Sequence, residues 1–187
     1  MYKPERIQQF FNAKRMSQGT DYIENYLFGL YPMIIKYVKG DFHIIEIGSY
    51  EGSTTELFMN YCSLLYSIDP YAEGEDCGQE TPEHLAAAEQ VMMNRMREYG
   101  NAFHHYKLPS LRAAQLIQNG SVDLVYIDGD HRHDSVVADI KTWLPKIKSG
   151  GYISGHDYYD WIKQAVLETI GNPDETFIDG SWIKKIK

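Results

Sequence analysis

The sequence predicts an α/β fold: one doubly wound, mostly parallel sheet, on three observations. Short apolar, β-branched runs alternate with helical stretches, and no two early strands are adjacent. That order implies parallel pairing with helices over both faces of the sheet. Most of these runs stop at a glycine or an acid. Two further short apolar runs close the chain as an antiparallel pair, which brings the expected sheet to seven strands.

The elements follow in order. Ile7 to Phe11 and Tyr22 to Tyr37 carry apolar residues at helical spacing (Ile23, Tyr26, Leu27, Leu30), with Pro32 interrupting or restarting the second helix. Phe42 to Ile47 is a β-branched run ended by Gly48, which suits a strand buried on both faces. Ser53 to Tyr61 reads as a helix with Ser53 or Thr54 near its N-terminus. Leu64 to Asp69 is a strand stopped by Pro70, and Tyr71 to Pro82 is an acidic, glycine-bearing loop. Glu83 to Tyr99, rich in Ala, Glu, Met and Arg, predicts a helix. A strand over Phe103 to Leu108 precedes a helix from Ser110 to Gln118, closed by Asn119-Gly120. Val122 to Asp128 is a strand, His133 to Leu144 a helix, Gly150-Gly151 a turn and Tyr152 to Gly155 a strand. Asp160 to Ile170 is helical, and Thr176 to Ile178 with Trp182 to Lys184 form the final pair. The expectation is a single domain over 1–187, with 1–40 a helical cover and 41–187 the core.

Composition narrows the function classes. The 187 residues are 43% hydrophobic and carry a net charge of -8. Basic residues are scattered except at Lys184-Lys185-Ile186-Lys187, which argues for a small-molecule acceptor and no nucleic acid. Two cysteines, Cys62 and Cys77, suggest neither a disulfide framework nor a cysteine zinc site. With no signal-like start and no apolar run of about 20 residues, the expectation is a cytoplasmic protein with no membrane partner. A homodimer is left open.

In doubly wound sheets ligands bind beyond the carboxyl ends of the strands. Here those ends carry Glu46-x-Gly48, Asp69, Asp128-Gly129-Asp130-His131 and Gly155-His156-Asp157. The turn Glu46-Ile47-Gly48-Ser49-Tyr50-Glu51-Gly52 has Tyr50 where a dinucleotide fingerprint has its second glycine. It therefore suits an adenosine-bearing cofactor with no pyrophosphate to cradle. Asp69, at the end of the next strand, is placed to accept hydrogen bonds from ribose hydroxyls.

Those segments, with Asp123 to His131 and Gly150 to Tyr158, resemble the ordered motifs of class I S-adenosylmethionine-dependent methyltransferases. More narrowly they are similar to a small bacterial and phage group carrying Asp-Gly-Asp-His. The resemblance runs from about Phe42 to the C-terminus and implies a Rossmann-like methyltransferase fold with S-adenosyl-L-methionine as methyl donor. It implies Glu46, Gly48, Ser49 and Gly52 around the methionine moiety, Asp69 at the ribose, and Ser110-Leu111 beside the adenine. Asp128 would sit beneath the sulfonium and the acceptor.

A hydroxyl acceptor must lose its proton, and two routes stay open. One is a general base, most simply His131 or His156, whose ordinary pKa lies near neutrality. The other is a divalent metal such as Mg²⁺ on Asp128 and Asp157. Catechol-type relatives carry an Asn after the second acid, where this chain has Tyr158, so Asp130 or His156 would have to supply a third ligand. The alternatives are an NAD-type Rossmann enzyme, against which Tyr50 argues, and a non-catalytic cofactor-binding module. His104-His105 read as packing or solvated residues, His133 as solvent-facing, and Trp143 and Trp161 as core. The acidic run from Glu73 to Glu83 reads as a solvated loop.

Overall fold

The computed structural model describes residues 28–72 and 81–187, together with Gln9 and Asn12. The predicted helix over Ile7 to Phe11 (Gln9 apart), the stretch 22–27 and most of the acidic loop lie outside the described residues. The described chain begins with α1 (Leu30–Tyr37), then β1 (His43–Ile47), α2 (Ser53–Met59), β2 (Leu64–Ile68) and α3 (Pro82–Met96). It continues with β3 (Phe103–Tyr106), α4 (Ser110–Ala113), β4 (Val122–Ile127) and α5 (His133–Trp143). β5 (Ile147–Gly155), α6 (Asp160–Ile170), β6 (Glu175–Thr176) and β7 (Trp182–Lys185) complete it.

The seven strands are ordered β3-β2-β1-β4-β5-β7-β6, parallel except for β7, which runs against both β5 and β6. The chain leaves β1 toward β2 and β3, then returns on the other side as β4. That reversal sets the carboxyl ends of β1 and β4 side by side, the position where such sheets bind ligands.

Side-chain alternation explains the two layers. Ile44, Leu124 and Tyr126 pack under α1, α2 and α3 with Leu30, Met33, Leu57, Phe58 and Met92. Ile45, Ile47, Val125 and Ile127 face the opposite way, against Ala113, Ile140, Trp143, Ala165 and Val166 of α4, α5 and α6. Because successive strand residues point to opposite faces, a strand covered by helices on both sides must be apolar at nearly every position.

Three local expectations are corrected and one is sharpened. Gly150-Gly151 is no turn but lies inside β5, at a shift in register between the Val122↔Ile147 and Leu124↔Tyr152 pairs. Gly151 fits there because a Cβ would come within 2.7 Å of the Asp123 carbonyl oxygen. The helix after β3 is a single α-turn, Ser110–Ala113, followed by a 3₁₀ turn over Ala114–Leu116. α2 begins at Ser53 as expected, but its cap position is taken by Gly52, in a left-handed conformation. Trp143 is buried as expected, but Trp161 is 58% exposed, because helical spacing alone does not tell which face of α6 meets the sheet.

Candidate active site

The turn after β1 is shaped by its neighbours. Gly48 takes φ +82°, and a Cβ there would lie 2.0 Å from the backbone oxygen of Asp128. Its N–H donates to Ile68 O, while Asp128 N–H donates to Ile47 O, so the ends of β1, β2 and β4 are laced together. Gly52, at φ +75°, has Met92 of α3 where a Cβ would go. Tyr50 holds a left-handed φ of 45° between them, a conformation that costs a non-glycine residue energy and persists only where its surroundings fix it.

Asp69 supplies much of that fixing. Its Oδ2 accepts from the N–H groups of Ser49 (3.0 Å) and Tyr50 (2.9 Å), and its Oδ1 from Tyr71 N–H (2.9 Å). The Tyr71 hydroxyl donates back to Tyr50 O at 2.5 Å. Ser49 turns its hydroxyl inward to Ser67 Oγ, which also lies 3.3 Å from His105 Nδ1. Glu46, on the same sheet face as Ile44, is fully buried and accepts from Thr55 Oγ1 of α2, while its Oε1 has no hydrogen-bond partner. Burial pushes its carboxyl well above the usual range, against the Thr55 bond and with help from the charges of Asp128 and Asp69.

Beside this turn the ends of β4 and β5 form an acid–imidazole cluster. His131 Nε2 lies 3.1 Å from Asp157 Oδ2 and 3.8 Å from Asp128 Oδ1. His156 Nδ1 lies 3.1 Å from Asp157 Oδ1 and 3.9 Å from Asp128 Oδ1. Asp157 reaches both rings from a left-handed backbone, φ 50°.

The charges change the chemistry expected of the rings. The facing carboxylates of Asp128 and then Asp157 raise the His131 pKa to about 10. Burial pulls His156 down, but its bond to Asp157 and the nearby carboxylates outweigh burial and carry it to about 9. The two imidazoles in turn hold Asp157 far below the usual carboxylate range. Both shifts favour the charged form of the rings, away from the near-neutral value of an unperturbed histidine.

The structure also sorts the candidate ligands. Asp130 turns away to Arg132 and to Ser135 Oγ (2.8 Å), so it joins no metal set. Tyr158 packs against the apolar core, with its N–H on Gly180 O. Asp128, Asp157 and His131 present one atom each within 4.8 Å of one another. Two carboxylate oxygens and, once its ring is neutral, one imidazole nitrogen are a set that could hold a divalent cation; the residue grouped with the two acids is His131, where Asp130 or His156 was expected.

Ser110 Oγ donates to Asp139 and accepts from Trp143 Nε1, so its hydroxyl faces the core, while Leu111 is exposed. His105 is half-buried between Ser67 and Glu89, as a packing residue would be. His133 pairs with Asp134 and Glu168 on the surface of α5 and α6. Asp179, which sequence reasoning missed, lies 3.8 Å from His156. Its only sequence signal, Asp179-Gly180, is ordinary turn chemistry.

A family profile described as a methyltransferase domain matches residues 45–158. The uncharacterized protein R132 of Acanthamoeba polyphaga mimivirus is 28% identical over 162 residues, covering 77% of this chain and 68% of its own length. An rRNA methylase from Streptococcus thermophilus shares the fold at TM-score 0.59 and 13% identity, over 84% of this chain and 95% of its own. A Streptococcus mutans protein described as a candidate methyltransferase, solved in complex with SAH, matches at TM-score 0.59 and 11% identity. That match covers 84% of this chain and 96% of the other.

The rRNA methylase overturns one expectation. A small-molecule acceptor with no nucleic acid does not follow from net charge, since a protein acting on rRNA is built on this same fold. Net charge sums a whole surface, whereas contact with phosphates needs only a local basic patch. Among the described residues, no helix is long and apolar enough to cross a membrane.

Proposed function

Because this chain belongs to the methyltransferase-domain family and is an S-adenosylmethionine-dependent methyltransferase, we propose that it methylates an acceptor oxygen. In this reading the Asp128, His131, His156 and Asp157 cluster handles the proton. The observation that carries it is the contact between turn and cluster: Asp128 ends the strand whose backbone closes directly on Gly48. The Asp128-Gly129-Asp130-His131 segment supports, within the same reading, membership of a small bacterial and phage group. A reducing, cytoplasmic setting belongs to the same reading; Cys62 is buried, with its thiol pushed up to about 12.

The donor lies along the turn, with Glu46, Gly48, Ser49 and Gly52 at the methionine end. Asp69 meets the ribose, since a carboxylate offers about four lone-pair sites and three are taken by backbone N–H groups. Ser110 and Leu111 flank the adenine through backbone and apolar surface. The acceptor oxygen attacks the methyl carbon in line with the sulfonium. The C–S electron pair stays with sulfur as the new C–O bond forms, and the acceptor proton passes to Nε2 of neutral His156, whose Nδ1 is turned to Asp157. Asp128, Asp157 and His131 are the residues that would hold a divalent cation, which would lower the pKa of the acceptor hydroxyl.

His156 accepts a proton only in its neutral form. Its raised pKa therefore predicts turnover that climbs with pH through about 9, where an unperturbed histidine would give a limb near about 6.5. A pH–rate profile of wild type against His156→Gln checks this; a limb near neutrality would remove His156 from the role.

Calorimetric titration with S-adenosylmethionine, S-adenosylhomocysteine and NAD tests the donor. Binding of S-adenosylhomocysteine and no response to NAD is the expected result, and the reverse would sink the reading. Asp69→Ala strands the Ser49, Tyr50 and Tyr71 N–H groups. It is expected to weaken S-adenosylhomocysteine binding by about 10- to 100-fold, from about 1–3 kcal/mol of lost hydrogen bonding. Transfer of labelled methyl to catechol and to an rRNA fragment, with a divalent salt or a chelator, then resolves acceptor and metal. Methylation confined to nitrogen or carbon would count against an oxygen acceptor.

A further inference from the structure

Asp179 lies in the turn between β6 and β7 with its side chain 5% exposed. Its Oδ2 accepts from Leu30 N–H at 2.6 Å and from Ser181 Oγ at 3.0 Å, and its Oδ1 accepts from Ser181 N–H at 2.9 Å. Leu30 opens α1, where backbone N–H groups have no partner within the helix. The carboxylate thus closes that helix end from 149 residues away. Gly29 leaves the room for it: a Cβ there would stand 1.8 Å from Asp179 Cγ.

The same turn is tied to the reaction rim. Tyr158 N–H donates to Gly180 O at 2.9 Å, and Trp182 Nε1 donates to His156 O at 3.3 Å. These anchors bring Asp179 Oδ2 to 3.8 Å from His156 Nε2, while Asp157 Oδ1 is 3.1 Å from Nδ1 at the other side of the ring. An imidazole held at one nitrogen is free to swing about that contact; a carboxylate 3.8 Å from the other nitrogen adds an electrostatic pull on that edge.

We propose that Asp179 is a positioning residue for methyl transfer, holding the Nε2 edge of His156 so that the ring keeps one arrangement with Asp157 and Asp128. It also couples that arrangement to the start of α1. The proposal rests on the cluster being the reaction site. Its role is distinct from capping α1, which needs only a hydrogen-bond acceptor.

Asp179→Asn keeps the shape and an acceptor oxygen but removes the charge. The test compares Asp179→Asn, His156→Gln and the double variant in ¹⁵N-histidine-labelled full-length protein. The His156 ring resonances are identified by their loss in His156→Gln and need no acceptor. In Asp179→Asn they are expected to shift and broaden, while His105 and the affinity for S-adenosylhomocysteine stay as in wild type. With the acceptor found above, kcat is expected to fall about 10-fold at unchanged KM for S-adenosylmethionine, the size usual for a residue that orients another. The double variant should lose no more than His156→Gln alone, since residues acting as one unit are not additive. Unchanged His156 resonances, or losses that multiply in the double variant, overturn the proposal and leave the cluster's role standing. Wild-type turnover by His156→Gln overturns both. If Asp179→Asn does not fold, Ser181→Ala, which removes one bond orienting the carboxylate, is read by the same resonances.

Discussion

Replacing Asp128 by alanine is expected to lower kcat by about 1,000-fold, within the range lost when a group engaged in proton transfer is removed. S-adenosylhomocysteine should still bind within a few-fold of wild type. The split follows from where the residue's two halves point. Its backbone meets Gly48 and donates its N–H to Ile47 O, and truncating the side chain leaves that untouched. Its carboxylate faces His131 at 3.8 Å and His156 at 3.9 Å, where loss of charge frees both rings from the arrangement that takes the proton. Asp128→Asn, with the shape kept, should lose nearly as much as alanine. Stopped-flow turnover beside calorimetric S-adenosylhomocysteine affinity makes the measurement. Equal loss in both quantities would show that Asp128 holds the donor and does not serve the chemistry.

Gly48→Ala is expected to be the most damaging single methyl in the described structure. At φ +82° any L side chain is strained, and here the added Cβ would sit 2.0 Å from the Asp128 carbonyl oxygen and 2.8 Å from Gly129 Cα. Both obstacles are backbone atoms held in the sheet, so no side-chain rotation relieves them. Strain at the dihedral and overpacking together amount to about 2–5 kcal/mol, or a melting temperature lower by roughly 5–15 °C for a chain of this size. Donor binding should be lost even where the protein stays folded, because the turn and the β4 end cannot both keep their places. A scanning-calorimetry midpoint within about 2 °C of wild type, with normal S-adenosylhomocysteine affinity, would contradict this. Gly100→Ala, whose Cβ meets nothing within 4 Å, separates the dihedral cost from the clash.

Sequence alone determined the order and kind of nearly every described element. Buried parallel strands must be apolar on both faces, and helices between them must show a 3.6-residue period, so Ile44-Ile45 and Val122 to Ile127 declare themselves locally. Because ligands gather beyond the strand ends in this topology, the same reading also located Glu46, Asp69, Asp128, His131, His156 and Asp157 on one rim. What local pattern cannot carry is which groups meet. Asp130 and His131 are neighbours in sequence, yet Arg132 and Ser135 draw the first away while the second turns to Asp157. Trp143 and Trp161 share a helical spacing, but only the sheet's position decides that one is buried and the other exposed. The protonation of the two imidazoles and the place of Asp179 between Leu30 and His156 were decided by the tertiary structure alone. Charge–charge energies depend on distances of a few ångströms between residues far apart in the chain, and only folding sets those distances.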